Sequence, residues 1–208
     1  MKKSLIAGAA LLVLCAACGK KEQPVTEGKE LSKNPIAALG QVQDAVKKAT
    51  DAAKEAENQK PVDPVHFSKL IELLPAAPSG WTATGEPKGE TASAMGFKIS
   101  DAERDYSAKE EGKSVHVKIV DGAYNTMMYA GITMAAQFSR ESTDGYEKGV
   151  TIAGNPGIEK WTKATKDAQL SILVGKRFLI EIHGNGVEPD TIKTFYGAID
   201  TAKLAALK

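Results

Sequence analysis

The sequence predicts an α+β domain: an antiparallel sheet of about six strands with helices on one face, preceded by an Ala-rich helical tether. Between residues 146 and 183, short apolar stretches alternate with turn residues and no helical pattern intervenes, which indicates antiparallel meander strands. Segments with apolar residues at helical spacing lie on both sides of that region. The chain has 208 residues, of which 42% are apolar and 25% are charged, as expected for one globular domain with extensions.

The domain is expected to span residues 62–208. A first helix is predicted from Phe67 to Leu74, because apolar side chains recur at helical spacing until Pro75. A second helix is predicted over 125–140, and a last one carries the apolar stripe from Ile192 to Leu204. The predicted strands are 95–99, 115–119, 146–153, 158–165, 169–174 and 178–183, with turns at Asp144-Gly145, Asn155-Pro156-Gly157 and Gly175-Lys176.

The N-terminus has the pattern of an export signal over residues 1–17. Lys2 and Lys3 precede an apolar stretch from Leu5 to Leu14, which is too short for a bilayer-spanning helix of about 20 residues. The segment that follows, Leu14-Cys15-Ala16-Ala17-Cys18, resembles the lipobox of bacterial lipoproteins. The usual leucine three residues before the cysteine is replaced here by Cys15. The alternative is an ordinary secretory peptide that is cleaved nearby.

The lipobox resemblance implies that Cys18 is the lipid-attachment residue. In that family the cysteine thiol receives a diacylglyceryl group, the signal peptide is removed, and the new amino group is acylated, with palmitate as a typical chain. Cys15 would leave with the signal peptide, so the mature chain could form no internal disulfide. Gly19 is not the Asp associated with inner-membrane retention. We therefore expect the outer membrane, facing the periplasm, with the periplasmic face of the inner membrane as the alternative.

Residues 18–61 are predicted to connect the lipid to the domain. Residues 19–33 are polar and aperiodic, as in a flexible leash. After Asn34-Pro35, apolar residues recur at spacings of three and four, which predicts an amphipathic helix over about 35–58 with a length of about 35 Å. Three roles are open for this helix: a solvated spacer, a self-association or docking element, and a helix that packs back on the domain.

Four segments of the domain are similar to a family of uncharacterised proteobacterial proteins, many of them lipoproteins. They are Phe67–Trp81, Met95–Tyr106, Asp144–Trp161 and Arg177–Gly186. This resemblance implies no particular activity, because that family has no assigned chemistry.

Charge and motifs exclude several function classes. A formal net charge of +1, without a dense basic run, argues against nucleic-acid binding. Nucleophile elbows, His-Glu-x-x-His and paired Cys-x-x-Cys motifs are absent from the sequence, so no catalytic residue, metal or cofactor is predicted. Gly184-Asn185-Gly186 lacks the third glycine of a dinucleotide loop and is interpreted as a turn.

One polar cluster is a candidate site. His116 alternates with Val115 and Val117, and therefore points away from the core together with Lys118. His183 shares a face with Glu181, so the two strands, if adjacent, would bring His116, Glu181 and His183 together. The cluster is either a His/Glu acid–base pair or a solvated sheet face.

The sequence as a whole favours a lipid-anchored cell-envelope protein with a periplasmic binding or scaffolding domain over an enzyme. The membrane would be contacted through the N-terminal lipid, and an envelope protein or peptidoglycan would be the partner. The alternative is a small periplasmic hydrolase or small-ligand-binding protein with its site on the sheet face.

Overall fold

The computed structural model describes residues 62–94, 97–123 and 126–208. The predicted signal peptide, the predicted lipid site at Cys18 and the helix predicted over 35–58 lie outside these residues. Among the helices in the described ranges, none combines the length and apolarity that crossing a bilayer requires.

The described chain forms one antiparallel sheet with short helices. The helices are α1 Phe67–Ile71, α2 Thr126–Ala135, α3 Pro189–Gly197 and α4 Thr201–Ala205. The strands are β1 Trp81–Ala94, β2 Phe97–Ala108, β3 Ser114–Asp121, β4 Ser139–Ser142, β5 Gly145–Ile152, β6 Asn155–Thr162, β7 Asp167–Val174 and β8 Phe178–Asn185. Their order across the sheet is β1-β2-β3-β8-β7-β6-β5-β4, and every neighbouring pair is antiparallel.

The antiparallel sheet is confirmed, but it has eight strands rather than about six. The two additional strands lie at its edges. β1 is rich in Thr, Ala, Gly and Glu and has no alternating pattern of large apolar residues, since an edge strand buries little. β4 overlaps the last two residues of the helix predicted over 125–140, because that helix ends at Ala135 instead. All four residues of β4 are exposed, so no periodicity marks them.

One face of the sheet, here the covered face, carries the core. Alternate residues of the central strands point to this face, where α1, α3 and α4 lie. Its buried side chains include Val115, Val117, Ile119, Leu170, Ile172, Ile180 and Ile182, with Ile192, Phe195 and Leu204 from the helices. Gly184 lets α3 approach, because a Cβ at this position would collide with Val187 and press on Ile192.

The prediction that helices cover only one face is wrong. Gly149 aligns through its strand neighbours with Glu181 of β8, and therefore faces the opposite side, here the open face. A Cβ at Gly149 would collide with the backbone of Ala136, which directly follows α2. The Gly149 amide also donates to the Phe138 carbonyl at 2.8 Å. The end of α2 thus lies over β5 on the open face.

Two local boundaries also differ from the sequence prediction. The last helix is divided, because the Asp200 side chain accepts a hydrogen bond from the Lys203 amide at 2.8 Å and begins a new helix, α4. The β5–β6 turn is Ala153-Gly154, both with positive φ (50° and 80°), instead of 155–157. Such a two-residue turn matches the twist of an antiparallel hairpin.

Candidate functional site

The structure brings the predicted polar cluster together. Strands β3 and β8 are adjacent, with His116 directly opposite His183 and Lys118 directly opposite Glu181. All four side chains point to the open face, because they alternate with buried residues of the core. The two strands are therefore adjacent, and the prediction that this would bring His116, Glu181 and His183 together is confirmed.

Strand β2 adds a row of carboxylates that the sequence analysis missed. Asp105 lies opposite His116, and its Oδ1 is 2.8 Å from His116 Nδ1. Glu103 Oε2 lies 3.8 Å from His116 Nε2. The signal in the sequence was the alternation of acids at 101, 103 and 105, but only the β2–β3 register shows which residues these acids face.

Lys118 is the cation of this cluster. Its Nζ lies 3.2 Å from Asp101 Oδ1, a carboxylate that is largely buried, and 3.7 Å from Glu103 Oε2. Burial opposes the charged form. The hydrogen bond to Asp101 and the charges of Asp101, Glu103 and Glu181 outweigh it and raise the pKa of Lys118. Lys118 is therefore a fixed positive charge at neutral pH.

We call this group the acidic face; its members are Asp101, Glu103, Asp105, His116, Lys118, Glu181 and His183. Beside this group of four carboxylates and one lysine, β1 places Lys88 opposite Glu103 and Glu90 opposite Asp101, which adds one lysine and one carboxylate. Within residues 62–94, 97–123 and 126–208, no three His, Cys, Asp or Glu side chains are arranged to hold a metal ion. His183 is exposed, and the side chains stand on a sheet surface rather than in a cleft. Such an arrangement suits contact with another surface better than enclosure of a small substrate.

A cleft lies elsewhere, between β5–β6 and α3–α4, on the covered side of the sheet. Its volume is about 610 Å³, and none of the predicted cluster residues lines it. Its walls are formed by Lys148, Val150, Thr151, Ile152, Ala153, Glu159, Lys193, Tyr196, Gly197, Ile199 and Thr201. No local sequence pattern marks this site, because its residues come from four separate elements.

Glu159 is the central group of the cleft. Its side chain is only 1% exposed, and it accepts a hydrogen bond from the Tyr146 hydroxyl through Oε1. Lys148 Nζ lies 3.3 Å from the same oxygen, and Lys193 Nζ lies 3.2 Å from Oε2. One buried carboxylate thus holds two ammonium groups and one hydroxyl.

The pKa values around Glu159 argue against proton transfer at neutral pH. Burial alone would raise the pKa of Glu159, but the hydrogen bond from Tyr146 and the adjacent ammonium groups of Lys193 and Lys148 hold that pKa below its usual range. Burial and the neighbouring Glu159 carboxylate raise the pKa of Tyr146 far above its usual value. Because neither group changes protonation near pH 7, this pair is poorly placed for general acid–base catalysis and better suited to fixing the lysines.

Neither a protein-family model, nor a curated protein, nor a solved structure matches this chain.

Proposed function

We propose that this chain is a lipid-anchored cell-envelope protein whose domain binds another macromolecule through its acidic face. The observation that carries the binding function is the position of His116, Glu181 and His183. They lie on an exposed sheet surface, away from the cleft, and are continuous with the carboxylates of β2. Surface charge arranged in this way promotes encounter with, and selection of, a partner of opposite charge.

The anchor is proposed from the first residues of the sequence. Lys2 and Lys3, the short apolar stretch and Ala16-Ala17-Cys18 together have the order of a lipoprotein signal. Several acyl chains at Cys18 would hold the chain on the membrane, since each buried methylene contributes about 0.8 kcal/mol. We place the anchor in the outer membrane with the domain in the periplasm.

The partner that fits the acidic face is an envelope protein with a basic surface. Carboxylates outnumber lysines there even when Lys88 and Glu90 of β1 are included, and Asp105 is more than half exposed. Lysine or arginine side chains of a partner would find unshared carboxylate oxygens, and binding would weaken as salt screens the charges. Peptidoglycan, which presents sugars and its own carboxylates, fits this face less well.

A small-ligand-binding protein is the second candidate, and the cleft around Glu159 is the observation that favours it. Its site would differ from the sheet-face site that the sequence suggested. A hydrolase has less support, because the ionisable pair in the cleft titrates far from neutral pH.

The anchor is tested by growing cells with a clickable palmitate analogue. We expect label on the wild-type chain, none on Cys18→Ser, and undiminished label on the matched variant Cys15→Ser. Unlabelled wild-type chain, or label that survives Cys18→Ser, would overturn the anchor.

The acidic face is tested by charge reversal. Asp105→Lys and Glu181→Lys should each weaken capture of a basic envelope partner from solubilised membranes, because each replaces attraction by repulsion. Glu72→Lys, an equal change in net charge at an exposed site after α1, is the matched control. Capture that is insensitive to both open-face variants, or equally sensitive to the control, would contradict the proposal.

A further inference from the structure

We propose that the cleft between β5–β6 and α3–α4 binds a small amphipathic molecule with one anionic head group. This site is independent of the acidic face, since it lies on the other side of the sheet. The proposal follows from three features of the cleft: two ammonium groups at one end, apolar side chains at the other, and a buried carboxylate that keeps the ammonium groups in place.

The head-group end consists of Lys148 and Lys193. Each is about 40% exposed, so each ammonium group is reachable from solvent. An ammonium group has three N–H donors. Lys148 Nζ lies 3.3 Å from Glu159 Oε1 and 4.4 Å from the centre of the Tyr146 ring, whereas Lys193 Nζ lies 3.2 Å from Glu159 Oε2 and donates to Asp190 Oδ1 at 3.4 Å. Donors therefore remain at both lysines for an anion that lies between them.

Glu159 positions the lysines without blocking an anion. Its carboxylate is buried beneath them and its two oxygens are divided between them, so its negative charge is not presented to the cleft opening. Asp190 is also near Lys193, at 3.4 Å, but is 96% exposed. Solvent screens a charge in that position and makes the pair weak. A cationic ligand would meet two ammonium groups first, so an anion is the better fit.

The other end of the cleft is apolar. Val150 and Ile152 of β5 are partly buried. They line the cleft together with Tyr196 of α3 and with Ile199, which lies between α3 and α4. Burial raises the pKa of Tyr196, so its hydroxyl stays protonated, and within the described residues this hydroxyl has no hydrogen-bond partner. The volume of about 610 Å³ lies within the range of about 300–1,000 Å³ typical of small-ligand sites. A short aliphatic chain would cover the apolar side chains while its head group reaches the lysines.

The test is a titration of the full chain carrying Cys18→Ser, which has no lipid acceptor and therefore needs no competing detergent. Backbone amide shifts are followed by NMR with octanoate, octyl phosphate, octanol and octylamine as probes. We expect saturable shifts at β5, β6 and α3–α4 with octanoate, octyl phosphate or both, and binding of octanol and octylamine at least about tenfold weaker, because only the anions use the charge-assisted contacts. The anion that binds more tightly shows whether the head group is a carboxylate or a phosphate.

Variants separate the lysines from general effects of charge. Lys148→Met and Lys193→Met should each weaken anion binding about tenfold or more while leaving octanol binding unchanged. Lys160→Met, an exposed residue next to Glu159 that points to the opposite face of the sheet, should bind as the parent chain does. Butyrate should bind more weakly than octanoate if the apolar end is used.

The proposal is overturned if octanol and octanoate bind equally, if the shifts map outside the cleft, or if Lys160→Met weakens binding as much as Lys148→Met. A cooperative unfolding transition of each variant that lies well above the titration temperature ensures that lost binding reflects lost contacts rather than unfolding. Because the lipid and the acidic face play no part in the titration, failure here leaves the proposed function untouched.

Discussion

Arg177 and Asp121 form a buried ion pair in which the guanidinium Nε and Nη2 lie 2.9 and 2.7 Å from the two carboxylate oxygens. The Asp121 carboxylate also accepts from the Val65 amide at 2.8 Å. Arg177 reaches the carbonyls of Asp63 and Leu207, both at 3.4 Å. This pair therefore ties the first described residues and the segment that follows α4 to the end of β3.

Arg177→Met should lower the free energy of unfolding by about 3–5 kcal/mol, because it leaves the Asp121 carboxylate buried without its counter-charge. Urea denaturation at pH 7 measures the loss. Adding Asp121→Asn should recover part of it, since a neutral amide needs no cation. Lys69→Met, which breaks an exposed pair with Glu72, should cost less than about 1 kcal/mol. If Arg177→Met and Lys69→Met lowered the free energy of unfolding equally, this account would be refuted.

Tyr106→Phe should destabilise the domain by about 1–3 kcal/mol at pH 7, because the Pro75 carbonyl loses the buried hydroxyl that donates to it at 2.6 Å. Burial raises the pKa of Tyr106 to about 12 in the folded domain, above its ordinary value of about 10. The unfolded chain therefore releases this proton first, and stability falls as the pH rises from 10 to 12. The parent chain should lose more stability between pH 9 and 11 than Tyr106→Phe does; parallel losses would contradict the assignment.

Glu159→Gln should lower the free energy of unfolding at pH 7 by about 1–3 kcal/mol, since it removes the charge that holds Lys148 and Lys193. The pKa of Glu159 is depressed in the folded domain, so its contribution is present above the unfolded value of about 4.3 and lost as the pH falls toward the folded one. The stability difference between parent and variant should therefore shrink below about pH 4. A difference that is the same at pH 3 and pH 7 would argue against a charged Glu159.

Gly149→Ala should strongly destabilise the domain or displace α2, because its Cβ would collide with the Ala136 backbone. Gly131→Ala is the matched control. It lies within α2, with open space around a Cβ, and should raise stability by about 0.5–1 kcal/mol through helix propensity. Thermal unfolding of both variants distinguishes the two effects. Stabilisation by both substitutions would mean that the end of α2 does not lie on β5.

The elements that the sequence predicts well are those whose periodicity reflects burial on one side. Strands β3, β7 and β8 alternate buried and less buried residues, so their positions and faces followed from the pattern. Strands β1 and β4 could not be found in this way, because an edge strand with polar residues on both faces has no period to detect. The break before α4 depends on a single capping side chain, Asp200, within an otherwise continuous apolar stripe.

The two sites were predictable to different degrees. His116, Glu181 and His183 could be assigned to one face from alternation alone, although only the sheet order proves them adjacent. Glu159 and Lys193 are 34 residues apart and belong to a strand and a helix, so no local pattern links them. The informative sign in the sequence was a carboxylate at an inward strand position, which requires buried partners that the sequence cannot name.

The most direct test of the central claim is site-specific photocrosslinking in intact cells. A photoreactive residue is placed at His183 on the acidic face or at Lys203, an exposed residue of α4 on the other side of the sheet. We predict a discrete product with one basic envelope protein from position 183, absent from position 203 and reduced at least severalfold by Glu181→Lys, since close opposite charges are strongly coupled at interfaces. The same products from both positions, or no product from position 183, would contradict the claim that the acidic face is the binding surface.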